Sequence, residues 1–133
     1  MSTPAGIMAG KRGLIMGVAN DRSIAWGIAK AVADQGGELA FTYQGDALKK
    51  RAEPLAASVG SDMLMPCDVT DEDSISEVFK VIGQRWESID FLVHAIAYSD
   101  KEELKGQYLN TTRDNFLRTL DISCYSFTNV AKH

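Results

Sequence analysis

The sequence predicts an α/β domain built on a doubly wound parallel sheet, strand order 3-2-1-4, with helices on both faces. Three observations carry that expectation. Short apolar runs alternate four times with amphipathic helical segments, so consecutive strands are joined by helical crossovers. The first run passes directly into a glycine turn, Gly17-Val-Ala-Asn-Asp-Arg-Ser23, which opens onto a helix. The run Ile89-Asp-Phe-Leu-Val-His-Ala95 is nearly all apolar, as a strand covered on both faces would be. Right-handed crossovers then give the Rossmann-type order, with a crevice at the carboxyl ends of strands one and four, where the order reverses.

Each element follows from local chemistry. Residues 1–9 read as a loose tail, and 10–133 as part of a single dinucleotide-binding domain. Strand one covers 12–17. The first helix covers 23–35, with Ser23 as its N-cap, Gly36-Gly37 as its stop, and Ile24, Ile28 and Val32 as its buried stripe. Strand two is Glu38 to Tyr43. The helix over 46–59 buries Leu48, Ala52, Leu55, Ala56 and Val59, and Pro54 should kink or divide it. Strand three is Met63 to Pro66. Asp71 caps the next helix, whose apolar positions are Ile75, Val78, Phe79, Ile82 and Trp86. Strand four is Ile89 to Ala95, followed by a polar stretch from Ser99 to Asn110. Thr111 or Thr112 then caps a last helix carrying an apolar stripe of Phe116, Leu120, Cys124, Phe127 and Ala131. A sheet ending at strand four would leave a long apolar edge, so the chain reads as the first half of a larger fold, truncated before strand five.

Composition narrows the function. The chain has 133 residues, with 14 basic against 18 acidic side chains and a net charge of −4, which argues against a nucleic-acid surface. The basic run Lys49-Lys50-Arg51 reads as a solvated helix face. Cys67 and Cys124 fit no metal or redox spacing and read as reduced thiols of a cytoplasmic protein. The N-terminus has neither the basic flank nor the apolar run of a signal peptide, and no segment approaches the ~18 consecutive apolar residues of a membrane span.

The glycine turn is where ligand chemistry begins. A strand, a glycine turn and a helix N-terminus aim unpaired N–H groups and a positive dipole end at one spot, which suits a phosphate. Gly17 permits the sharp turn, and Gly27 is expected to let the helix pack closely on the sheet. Gln44 ends strand two where an acidic residue often holds the adenosine ribose. With no Arg or Lys immediately beside it, the pattern favours NADH over NADPH; a turn glutamine is the alternative. Asp68 can accept from the adenine amino group while Val69 packs on the ring, or it can be a turn aspartate. Ile96 would line the central portion of the cofactor or belong to the core. His94 has no partner at a diagnostic spacing and reads as a hydrogen-bonded core histidine rather than a general base. No zinc ligand set, P-loop or nucleophile elbow is found.

The chain resembles the divergent short-chain dehydrogenases that are bacterial NADH-dependent enoyl-acyl-carrier-protein reductases. The segments that carry the resemblance are Gly17-Val-Ala-Asn-Asp-Arg-Ser-Ile-Ala-Trp-Gly27, Leu39 to Gln44, Cys67-Asp-Val69, Asp90 to Ile96 and Asp121 to Phe127; they span the chain from Gly10 onward. The resemblance implies NADH-dependent reduction of a trans-2-enoyl thioester on acyl carrier protein, in fatty acid synthesis, by a homotetramer. It implies that Gly17, Ala19, Ser23 and Ile24 contact the pyrophosphate and neighbouring ribose. Gln44 would meet the adenosine ribose, Asp68 and Val69 the adenine, Ile96 the nicotinamide side, and Ser99 the acyl substrate. Ala97 stands where a glycine is common. In such enzymes hydride passes to C3 of the thioester, a tyrosine stabilises the enolate oxygen and a lysine holds the cofactor ribose. That Tyr-Lys pair lies after a fifth strand; Tyr98 and Tyr125 have Lys105 and Lys132 seven positions later, but both pairs precede any fifth strand, and Tyr108 has no such Lys. The resemblance thus places no catalytic residue in this chain, which by itself is expected to be inactive. The alternative reading is a non-catalytic NAD(H)-binding regulator on the same fold. A methyltransferase is a further alternative, against which the Ser-Ile-Ala-Trp-Gly turn argues.

Overall fold

A computed structural model describes residues 6–133; positions 1–5, part of the expected tail, lie outside the described residues. Four strands, β1 (Arg12–Met16), β2 (Glu38–Tyr43), β3 (Leu64–Pro66) and β4 (Phe91–His94), form one parallel sheet in the order β3-β2-β1-β4. The expected topology is therefore the observed one. Residues 6–10 turn back on the first crossover, with Met8 N–H donating to the carbonyl of Gln35 (3.0 Å).

Alternation along β1 divides the core in two. Leu14 and Met16 face the side covered by α3 (Glu72–Gly83) and α5 (Ser126–Lys132), together with Met65, Ile75, Val78, Ile82 and Val130. Ile15 faces the side covered by α1 (Ile24–Asp34) and α2 (Asp46–Ser58), with Phe41, Ala25, Trp26 and Ala29. α3 follows its sequence pattern closely: Asp71 Oδ1 accepts from Asp73 N–H (3.0 Å) and Ser74 N–H, Ile75, Val78 and Ile82 are buried, and Phe79 is half-buried against them. Trp86 lies beyond the end of α3 but is buried in the same cluster.

Several elements depart from expectation. The buried face of α1 is Ala25, Trp26 and Ala29; Ile24 is 79% exposed, Ile28 is exposed, and Val32 is half-buried. Close approach of α1 to the sheet therefore rests on small alanines. Gly27 faces outward, and a Cβ added there would meet nothing, so the packing role expected of it is not the one it plays. Pro54 does not divide α2, which is a single helix. Pro54 sits on the exposed side, where water can take up the carbonyl its missing N–H leaves unbonded. β4 is only half-buried along its length, because one edge pairs with β1 and, among the described residues, the other has no strand beside it.

The largest departure is the last helix. Thr112 is its N-cap, its Oγ1 accepting from Asn115 N–H (3.2 Å). The helix is not continuous α: α4 (Arg113–Leu120) passes through a π turn at Asp121–Tyr125 into α5. The expected apolar stripe faces outward, with Phe116, Leu120, Cys124, Phe127 and Ala131 all exposed. Asn115, Ser126, Asn129 and Val130 are the residues turned inward.

Candidate functional site

The carboxyl ends of all four strands open into one cleft of about 290 Å³. Gly17, Val18 and Ala19 contribute from β1, Thr42 to Gln44 from β2, Cys67 and Val69 from after β3, and Ala95 to Ala97 from after β4. Its size is at the lower end for small-molecule sites, so it would enclose only part of a dinucleotide.

Gly17 makes the cleft possible. Its φ of 108° is in the region that favours glycine, and a Cβ there would collide with the carbonyl oxygen of Ala95. The ends of β1 and β4 thus approach through a position only glycine fits, and Ala95 N–H closes the ladder on Met16 C=O (3.0 Å). Beyond the turn, the first helical hydrogen bond of α1 runs from Gly27 N–H to Ser23 C=O (3.2 Å), so the amides of Ile24, Ala25 and Trp26 have no helical acceptor. The first turn of α1 carries no acidic residue, which leaves the positive end of its dipole unneutralised. This combination fits an anionic group.

Ser23 stands at the N-cap of α1, but its side chain caps nothing in the helix. Its Oγ instead accepts from Ala19 N–H (2.9 Å) and Asn20 N–H (3.1 Å), while Asn20 Oδ1 accepts from Arg22 N–H (2.8 Å). Ser23 shapes the loop that borders the cleft, and the two amides it engages are donors already committed within the protein.

Of the sequence-derived candidates, the structure brings Gly17, Ala19, Gln44, Val69 and Ile96 together as cleft lining. Ile24 lies outside the lining, solvent-exposed at the start of α1. Asp68 also lies outside it. Its Oδ1 accepts from Thr70 N–H (2.9 Å) and Thr70 Oγ1 (2.7 Å), and its own N–H donates to Ser74 Oγ (2.8 Å), so the turn role is present whatever else the carboxylate does. Ser99 is turned toward α4, its Oγ accepting from Asn115 Nδ2 (3.1 Å); its own proton remains available to a further acceptor.

His94 has a partner that no local spacing could reveal. Its Nε2 is 2.7 Å from Ser126 Oγ, which donates its single proton to Ile122 C=O (2.6 Å), so the histidine nitrogen is the donor. Burial holds its pKa below the ordinary value. Cys67, buried at the cleft, has a thiol pushed up to about 11 by burial, whereas Cys124 is exposed. Lys49 lies over the ring of Tyr43 at 5.9 Å, while Lys50 and Arg51 are exposed on α2. Among the described residues, no group of three or more His, Cys, Asp or Glu is arranged to hold a metal, and no helix is long and apolar enough to cross a membrane.

Sequence reasoning missed Thr42, Tyr43, Leu48 and Ala95 as lining, and missed Asn115, Ser123 and Ser126 as anchors of the segment after β4. The available signal was a run of small polar residues, Asn115, Thr119, Ser123, Ser126 and Asn129, at helical spacing.

Comparison with known proteins agrees with this geometry. Residues 17–133 match the family model described as enoyl-(acyl carrier protein) reductase. Enoyl-(acyl-carrier-protein) reductase (NADH) 2 of Rhizobium meliloti (strain 1021) is 66% identical over 127 residues, which is 96% of this chain and 47% of that relative. The crystal structure of FabI from Candidatus Liberibacter asiaticus superposes with a TM-score of 0.94 at 55% identity, covering 97% of this chain and 50% of the other. The corresponding reductase of Anaplasma phagocytophilum, solved in complex with NAD, gives a TM-score of 0.92 at 54% identity, over 97% and 49% of the two chains. The chain spans about half the length of the curated relatives it matches.

Proposed function

The chain belongs to the enoyl-(acyl carrier protein) reductase family, and from that premise we propose that the full-length protein reduces trans-2-enoyl-acyl-carrier-protein with NADH in fatty acid synthesis. The observation that carries this reading is the Gly17 turn: a glycine-only approach of β1 to β4, followed by an α1 N-terminus with unbonded amides and no acidic residue in its first turn.

The assignment of roles follows the cleft from one end to the other. Gln44, exposed at the end of β2, meets the adenosine ribose through its amide, and Val69 packs on the adenine while Asp68 accepts from its amino group. Gly17 and Ala19 border the pyrophosphate; Ser23 keeps their loop in shape and, with Ile24, forms the start of α1 facing it. Ile96 walls the nicotinamide side, and Ser99, with its hydroxyl proton uncommitted, lies on the acyl side. When bound, the reduced nicotinamide supplies hydride chemistry at C3 of the thioester. No catalytic role is assigned to any residue within the 133.

The reading extends to a cytoplasmic homotetramer with no nucleic-acid or membrane partner, and to residues 10–133 as part of a single dinucleotide-binding domain. What supports assembly is the exposed apolar face of α4, the π turn and α5, with Phe116, Leu117, Leu120, Tyr125 and Phe127. The function is tested by following loss of reduced-nicotinamide absorbance when the full-length protein meets NADH and a crotonyl thioester. Turnover that requires both is expected; a folded protein that leaves NADH unoxidised refutes the reading.

A further inference from the structure

After β4 the chain leaves the sheet at Ala95 and reaches a 3₁₀ turn at Lys101–Leu104 with no strand beside it among the described residues. The backbone polar groups of this segment therefore need partners from elsewhere. One helix supplies three of them. Ser123 Oγ accepts from Tyr98 N–H (2.9 Å) and donates to Tyr98 C=O (3.2 Å), so a single hydroxyl satisfies both backbone groups of one residue. Asn115 Oδ1 accepts from Asp100 N–H (2.9 Å), while its Nδ2 donates to Ser99 Oγ. The Arg118 guanidinium lies over the Tyr98 ring at 4.6 Å, and Ser126 holds His94 at the end of β4.

Ser123 stands in the middle of the π turn Asp121–Tyr125. Such turns replace i→i+4 bonding by i→i+5, occur mostly as single-turn insertions inside α-helices, and are frequent at functional sites. Here the insertion sits opposite the segment that carries Ile96 and Ala97 onto the cleft wall.

We infer that Ser123, carried on the π turn, is a positioning residue for the acyl side of the cleft: by gripping both backbone groups of Tyr98 it holds the Ala97–Ser99 stretch where the enoyl thioester must meet it. What is bound there rests on the reductase reading; the grip itself does not. The adenosine end is built from β2 and β3 on the other side of the cleft, and Ile96, at the nicotinamide side, lies two residues before the gripped Tyr98, so loss of the grip acts more on the thioester than on NADH.

The test uses the full-length protein, with Ser123→Ala, the hydroxyl-retaining Ser123→Thr, and Cys124→Ser as a control on the exposed face of the same turn. Loss of two hydrogen bonds predicts that Ser123→Ala raises KM for a crotonyl thioester about tenfold, with KM for NADH changed less than about twofold. Ser123→Thr restores the thioester KM to within about threefold of the wild type, and Cys124→Ser matches the wild type. Deuterium exchange over residues 95–101 accelerates about tenfold in Ser123→Ala while β1 and α3 keep their protection. Equal changes in both KM values, or unchanged exchange over 95–101, would overturn the inference. If Ser123→Ala does not fold, the near-isosteric Ser123→Cys carries the same readouts. Should the wild-type protein not reduce the thioester at all, the reductase reading fails and exchange alone decides: faster exchange over 95–101 upholds the grip, and unchanged exchange ends it.

Discussion

Helix α3 and the α4–α5 helix pack on the same face of the sheet and touch each other, yet they turn opposite chemistry inward. α3 buries Ile75, Val78 and Ile82 and exposes its charges. α4–α5 buries Asn115, Ser126 and Asn129, together with Val130, and exposes Phe116, Leu120 and Phe127. They meet where Asn129 Nδ2 donates to Glu72 Oε1 and the His133 ring stacks on Phe79 at 5.9 Å. The difference lies in what each helix covers. α3 lies over strands whose backbone groups are already paired in the ladder, so apolar side chains fit best. α4–α5 lies over the irregular segment after β4, whose N–H and C=O groups must be bonded by the helix itself.

The largest effect that sharpens this contrast comes from α3. Ile75 is 1% exposed, and Ile75→Ala should cost about 2–5 kcal/mol in denaturant unfolding of the full-length protein, through lost transfer energy and a cavity. The matching change on the outward face, Leu120→Ser, should leave subunit stability within about 0.5 kcal/mol of the wild type. On the proposed assembly it acts instead by lowering the sedimenting mass. A loss as large as that of Ile75→Ala with unchanged mass would mean that the face belongs to the subunit's own core.

Much of the fold was legible because strand and helix periods, turn residues and crossover handedness all pointed to one topology, and β1, β2 and the start of α3 fell close to their expected bounds. The cleft was legible for a related reason: strand order alone locates it, and Gly17 marks the point in its wall where a side chain cannot fit. Which face of the last helix points inward was not legible. Phe116, Leu120, Cys124 and Phe127 have the same spacing as Asn115, Thr119, Ser123 and Ser126, one residue earlier. Periodicity finds both stripes, and choosing the apolar one assumes that the surface beneath has no unmet hydrogen bonds. The π turn adds a second obstacle, since it shifts the helical phase where the pattern looks uninterrupted. α1 misled for another reason. Ile24 and Ile28 form an apolar stripe, but Ala25 and Ala29 allow a closer approach to the sheet.

A mid-sized effect tests the polar face directly. Ser126 is fully buried, bonded to both His94 and Ile122. Ser126→Ala leaves the His94 Nε2–H without an acceptor, which should cost about 1–3 kcal/mol in the same unfolding measurement, a penalty for an orphaned donor rather than for lost volume. If polar residues on this face were incidental, the alanine variant would match the wild type, and the contrast with α3 would reduce to composition.

The smallest effect follows from the histidine. Burial depresses the His94 pKa in the folded protein below its ordinary value of 6.5, so the unfolded chain takes up the proton first. The stability this group contributes is fully present above the unfolded value and is lost as pH falls through 6.5 toward the lower folded value. Because Nε2 already donates to Ser126, protonation at Nδ1 does not break that bond; the cost is one of holding a charge in a half-buried place beside the Phe127 ring. His94→Gln can still present an N–H toward Ser126 but carries no titrating group. The unfolding midpoint of the wild type should therefore decline more steeply than that of His94→Gln below about pH 6.5. Parallel curves would show that His94 is as well solvated folded as unfolded, and that the helix above it shields the end of β4 less than its hydrogen bonds imply.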